Sequence, residues 1–302
     1  MKAMLARARG LRERARQMSP AMQSLCWALA AGIQFSLLNT IARKMTLELP
    51  PMQAQFLRYL MGLLVMLPLV WRAGMRAFTP NGLGGQLWRG VVHTAGLMLW
   101  FSALPHIPLA TMTALGFTTP IFIMVGAAWL LHEKISGARW VAALIGFSGV
   151  LVVVAPRLTL DGGFYTLVML ASSPVFAASF LITKALTKRD NSEVIVVWQS
   201  ITVSLFTLPL ALYQWQWPTP VQWMWFAIAG VFGSAGHYSL TQSYRMADIS
   251  ATQSVRFLDL IWASLLGLMV FGDVPSEWSL AGGLIIFAST FWITRREARP
   301  KR

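Results

Sequence analysis

Ten runs of roughly 20 mainly apolar residues occupy most of this chain, and that repetition leaves few folds open. A helix rising about 1.5 Å per residue needs about 20 residues to cross the roughly 30 Å hydrocarbon layer of a bilayer. The runs cover 24–41, 53–70, 88–104, 109–131, 136–155, 164–186, 194–213, 221–243, 250–271 and 276–294. They lack the period-two alternation of barrel strands, and lipid cannot satisfy an open strand edge, so each is predicted to be a helix. Only 12% of the residues are charged against 56% hydrophobic, too little charge to coat a soluble globule of 302 residues. The expectation is an all-α integral membrane protein of ten transmembrane helices, with the lipid bilayer as its surroundings.

The formal charge of +14 would point to nucleic acid in a soluble protein, but the placement of the basic residues says otherwise. Of 25 Lys and Arg, 20 fall on one side if the N-terminus is inside: the arm before the first run, the connections around Arg72, Arg76 and Arg89, Lys134 and Arg139, Lys184 to Arg189, Arg245, and the tail from Arg295. That is the positive-inside bias, which predicts both termini in the cytoplasm, an inner (plasma) membrane location and no nucleic-acid partner. Arg58 is read as close enough to the outer end of its run to snorkel, with anchoring and substrate contact both open. The lone Cys26 excludes an intrachain disulfide and a cysteine zinc site, and neither a metal nor a cofactor is expected. The first run is read as retained, since no small-residue cleavage site follows it. Trp71, Trp88, Trp215, Trp217, Trp223 and Trp278 stand at run ends, where amphipathic rings sit at the interface.

Sliding the chain on itself by 140 residues superposes the two halves of the hydropathy pattern and brings Lys44 onto Lys184, Ala95-Gly96 onto Ala235-Gly236, Glu133 onto Asp273 and Ala142 onto Gly282. The organisation read from this is a basic arm (1–23), a first five-helix unit (24–155), a second (164–294) and a basic tail (295–302). Five crossings per unit turn the second copy upside down, the plan of secondary carriers that work by alternating access.

Phe-Leu-Arg58-Tyr, Thr119-Pro120, the loop Leu-Leu-His132-Glu133-Lys134-Ile-Ser with its echo Phe-Gly-Asp273-Val-Pro-Ser, and Gly146, Gly149, Gly282 and Gly283 form a recognisable set. In these the chain resembles the drug/metabolite transporter superfamily, in its ten-span EamA-type branch. The resemblance implies export of small metabolites, with amino acids foremost and aromatic amino acids as one sub-branch; other metabolites or drugs are the alternative. The second half departs from the first in lacking a counterpart to Pro120 and in carrying Arg256 and Asp259 there.

Ionisable groups at membrane depth cost at least a few kcal/mol and usually face a cavity with a partner. Arg256 and Asp259, three apart on one helical face, either neutralise each other or line the substrate path, where the guanidinium holds a carboxylate and the carboxylate an ammonium. His93 and His237 are candidates for substrate contact or for a helix-to-helix hydrogen bond. Trp100, Tyr238 and Trp262 are candidate apolar walls, with Gln253 nearby. Pro120 and Pro174 are candidate hinges, since each removes a ladder bond from its run. An intramembrane enzyme is the remote alternative: Asp259 has no second aspartate in its run, and His132-Glu133 lacks the second histidine of a zinc-protease helix. No Gly-rich phosphate loop appears. A channel would need a ring of charges or carbonyls around a pore. Small-molecule substrate and bilayer are the partners expected, for a monomer or homodimer.

Overall fold

A computed structural model describes residues 18–107, 109–116, 118–154, 163–256, 258–274 and 276–297; most of the basic arm and the end of the tail lie outside the described residues. Those residues form twelve α-helices and no strand. The first half holds α1 (Pro20–Glu48), α2 (Pro51–Ala73), α3 (Leu83–Ala103), α4 (Leu109–Gly116), α5 (Thr119–Leu130) and α6 (Gly137–Val154). The second holds α7 (Gly163–Leu186), α8 (Ser192–Tyr213), α9 (Pro220–Met246), α10 (Ile249–Arg256), α11 (Asp259–Phe271) and α12 (Glu277–Glu297). Proline opens α1, α2 and α9, where its missing N–H costs nothing, and α9 adds a capping box between Thr219 and Gln222.

All ten apolar runs are helical, but two are broken in the middle. By length and composition α1, α2, α7 and α8 can each cross a membrane. The others fall short of that measure for visible reasons. Helices α4, α5, α10 and α11 are half-length, while α3 and α9 bury polar side chains such as Arg89, His93, His237 and Thr241. The breaks occupy equivalent places: 109–116 and 249–256, then 119 and 259, are each displaced by 140 residues. Both joints close with the same three-residue turns, Thr118 N to Leu115 O and Ile121 N to Thr118 O in one half, Leu258 N to Val255 O and Ile261 N to Leu258 O in the other. Pro120 therefore does not kink a continuous helix; it occupies the opening turn of α5, and α11 breaks at the same place with Leu260 instead.

Packing between the halves obeys one symmetry. Helix α1 lies on α9 as α3 lies on α7, and α2 meets α8 and α6 meets α12. The close contacts are reciprocal residue by residue, as an isologous interface requires. Gly149 abuts the carbonyl of Gly282, and its counterpart Ser289 donates to the carbonyl of Ala142 at 2.7 Å. Gly62 and Gly230 bring α2 and α9 together, and their counterparts Thr202 and Gly90 do the same for α8 and α3. A Cβ on Gly230 would lie 2.7 Å from the backbone of Met61 and Gly62, so this close approach demands glycine. Helices α5 and α11 end alike: His132 and Gly272 take left-handed φ of 55° and 69°, and Glu133 N and Asp273 N reach back to Ala127 O and Gly267 O.

The interior is apolar around Leu38, Leu57, Phe101 and Phe226, while Leu64, Leu144, Leu205 and Leu284 face outward, a surface suited to lipid. Trp71, Trp88, Trp217 and Trp278 are exposed as belt residues should be; Trp215 and Trp223 pack partly against the core.

Candidate functional site

Both broken helices aim their inner ends at one chamber between the halves. Gly116 and Thr119 reach it from the first break, and Arg256 and Asp259, their counterparts 140 residues on, from the second. Arg256 sits in the last turn of α10 and Asp259 in the first turn of α11. Each charge thus faces the helix end of opposite partial charge, which contributes about 0.3–1 kcal/mol apiece and eases their presence at depth. Aromatic walls come from Phe35 on α1, Trp100 on α3, and Phe176 and Phe180 on α7. Gly236 and Gly96 seat Phe35 and Phe176, since a Cβ at either would fall about 3 Å from the ring. The chamber of about 150 Å³ has room for about ten waters, each needing roughly 10–15 Å³.

The two charges do not lock together. Arg256 Nε stands 3.9 Å from Asp259 Oδ2, the guanidinium lies over Phe180 at 5.3 Å, and among the described residues its buried Nη1 has no hydrogen-bond partner. Asp259 Oδ1 rests against Gly32 of α1, where any side chain would overlap it.

Arg58 is a correction to the snorkelling expectation. Its side chain turns inward, 7% exposed, over the Tyr59 ring at 4.4 Å and with Nη2 3.5 Å from His237 Nε2; Gly233 leaves the space. His93 and His237 make the helix-to-helix hydrogen bonds expected of them, and both face the chamber. They are joined across helices by the Tyr59 hydroxyl, 3.0 Å from His93 Nε2 and 3.2 Å from His237 Nε2.

Three candidates lie off the chamber. Tyr238 follows His237 by one residue and so points about 100° round α9, where it accepts from Gln242 and meets Trp27 edge-on. Gln253 is buried and donates to the carbonyl of Ile249 within its own helix. Trp262 is half-buried on α11. Of the hinge candidates, Pro120 lines the chamber and Pro174 lies inside α7 between Ser172 and Phe176, which both face it.

Sequence reasoning missed Tyr59, Gln199 and Arg89. Tyr59 and Gln199 are counterparts under the 140-residue shift and lie 3.3 Å apart, which places them at the two-fold axis. Arg89 was counted among cytoplasmic basic residues; it is instead 1% exposed and bonded to Thr183, Gln199 and the carbonyl of Ile195. The flanking loop residues are also assigned: Glu133 caps α10 by accepting from Ile249 N, Ser250 N and Ser250 Oγ at 3.0, 3.3 and 2.9 Å, and its counterpart Asp273 is held by Arg43 at 2.8 Å.

Two matching repeats whose broken helices meet at a polar chamber follow the plan of membrane transporters. The chain belongs to the EamA-like transporter family, within the drug/metabolite transporter superfamily; the family pattern matches residues 22–155 and again 163–295. It is 32% identical to the riboflavin transporter of Rhizobium johnstonii, over 94% of this chain and 95% of that one. It is 30% identical to the riboflavin transporter of Vibrio cholerae over 93% and 96%, and 24% identical to the S-adenosylmethionine uptake transporter of Rickettsia prowazekii over 92% and 94%. A crystal structure at 17% identity shares the fold, with a TM-score of 0.71 over 90% of this chain and 99% of its own.

Proposed function

We propose that this chain carries a planar heteroaromatic metabolite rich in carbonyl and hydroxyl acceptors, of the flavin type, by alternating access through the chamber between its halves. The observation that carries this is the combination of aromatic walls with converging donors: Phe35, Phe176, Phe180 and Trp100 around Arg58 and the unpartnered Nη1 of Arg256. A flavin ring stacks on such walls, and its pyrimidine edge offers two carbonyls flanking one N–H. Arg256 and Asp259 supply a donor and an acceptor side by side for that edge. Two of its relatives, at 32% and 30% identity, are named riboflavin transporters, which supports the same class.

Export of amino acids, the sequence expectation, takes second place. The loose Arg256–Asp259 pair can read a zwitterion, and S-adenosylmethionine, named for relatives at 24% identity, ends in one. Relatives named for uptake and for export both occur, so direction is not part of the proposal. Ten crossings, inverted halves and cytoplasmic termini belong to the same reading, and surface-accessible tags at each end test them.

The substrate class is tested by counterflow of labelled riboflavin into proteoliposomes, with S-adenosylmethionine, tryptophan and phenylalanine as competitors. Saturable riboflavin uptake that none of the amino acids displaces is the expected result. Counterflow of tryptophan or phenylalanine without riboflavin would replace the flavin reading with the amino-acid one.

A further inference from the structure

We infer that Arg89, which does not touch the chamber, is a positioning residue that fixes the hydrogen-bond polarity of the chamber floor through Gln199, so that the floor meets its substrate with donors. The inference rests on the proposed chamber as the substrate site, and its first test does not.

An arginine has no acceptor. Because Arg89 Nη2 lies 2.6 Å from Gln199 Oε1, the amide oxygen of Gln199 is committed to it. Arg89 is itself held by Thr183 Oγ1 and the carbonyl of Ile195, so the group cannot swing away. The Gln199 amide nitrogen must then face the opposite way, and it lies 3.3 Å from the Tyr59 hydroxyl and 3.2 Å from His237 Nε2, with Nδ1 at 3.4 Å. Amide nitrogen only donates. Arg58 Nη2 approaches the same His237 Nε2 at 3.5 Å, a second donor on one atom. With two donors aimed at it, His237 Nε2 is assigned as the acceptor and the proton to Nδ1, which leaves its 3.2 Å contact with the Tyr59 oxygen without a hydrogen.

The order continues to the second histidine. Tyr59, already accepting from Gln199, directs its own hydrogen to the nearer His93 Nε2 at 3.0 Å. His93 then carries its proton on Nδ1 and donates to Ser179 Oγ at 2.9 Å. One buried guanidinium thus sets the direction of five successive side chains. The floor's acceptor atoms are consumed inside the network, leaving Arg58 and Arg256 as the cationic donors and Asp259 as the one charged acceptor among the lining residues. A substrate with several acceptors and one donor fits; one presenting mainly donors meets unpaired N–H groups.

The test uses the full chain labelled with 15N-histidine, with His106→Gln and His132→Gln leaving only His93 and His237 to observe. Both imidazoles are expected as neutral Nδ1–H tautomers. Either one found as Nε2–H, or as an imidazolium, overturns the inference whatever the chain transports. Gln199→Glu keeps the partner of Arg89, indeed with a full charge, but puts an acceptor where the amide donated. His237 is expected to move to the Nε2–H tautomer and riboflavin affinity, read by flavin fluorescence quenching, to fall at least tenfold without loss of thermal stability. Unchanged tautomers in that variant, or shifted tautomers with unchanged affinity in a parent that binds riboflavin, refute the positioning role. If the parent shows the expected tautomers and binds no riboflavin, the flavin proposal fails and the polarity stands.

Discussion

Glu133 offers a quantitative check on how the halves are joined. Its carboxylate accepts from two backbone N–H groups and one hydroxyl at the start of α10, where Ile249 and Ser250 are 0% and 2% exposed. Removing the acceptor leaves buried donors unpaired at about 1–3 kcal/mol each and forfeits about 0.3–1 kcal/mol of dipole interaction. With the two backbone donors left unpaired, Glu133→Ala is thus expected to destabilise by about 2–7 kcal/mol, and Glu133→Gln, which keeps one carbonyl oxygen, by about 1–2 kcal/mol. The counterpart Asp273 bonds Arg43 instead, with its side chain 34% exposed, so Asp273→Asn should cost under about 1 kcal/mol. Thermal unfolding in one detergent, at roughly 2 °C per kcal/mol for a chain of this size, ranks the three. The capping account is refuted if Asp273→Asn lowers the midpoint as much as Glu133→Gln does, because sequence equivalence rather than helix capping would then govern.

Arg256→Met and Asp259→Leu are each expected to abolish counterflow, and the double variant is expected to stay inactive; recovery in the double variant would reduce the pair to mutual neutralisation. Gly230→Val forces a side chain into the backbone of α2 and should cost about 2–4 kcal/mol, read as a loss of folded, monodisperse protein; an unchanged midpoint would contradict the close approach. His132→Gly removes a side chain from a left-handed position and should raise the unfolding midpoint by the equivalent of about 1 kcal/mol, with a lowered midpoint as the contrary result.

The hydropathy pattern and the 140-residue shift carried the architecture, because a bilayer imposes one length scale on every span and a duplicated unit repeats its turns. What they could not carry was the inward polarity. Arg89 stands at the edge of an apolar run, so it reads as a cytoplasmic marker; only the acceptors brought by Thr183 and Gln199 from the other half make its burial tolerable, and neither is near it in sequence. Arg58 misleads in the same way, since the space it fills is created by Gly233 on α9. The first break carries a mark in the sequence at Pro120, while the second, closed by the turns from Leu258 N to Val255 O and from Ile261 N to Leu258 O, carries none. Arg256 and Asp259 were legible because charge within an apolar run is costly; Tyr59 and Gln199 were not, being ordinary residues whose importance comes from position.

A rotation that exchanges two bodies leaves its own axis where it was. Under the alternating access proposed above, Tyr59 and Gln199, meeting there, would stay put while the flanking helices trade places, and whatever rests on them would be presented alike to either compartment. Two such poses would be degenerate only if the halves were identical; a phenol facing an amide at the axis, and Arg256 and Asp259 against Gly116 and Thr119, are among the differences that lift the degeneracy. Under that proposal, whatever preference the carrier has for one compartment is written where its two copies differ.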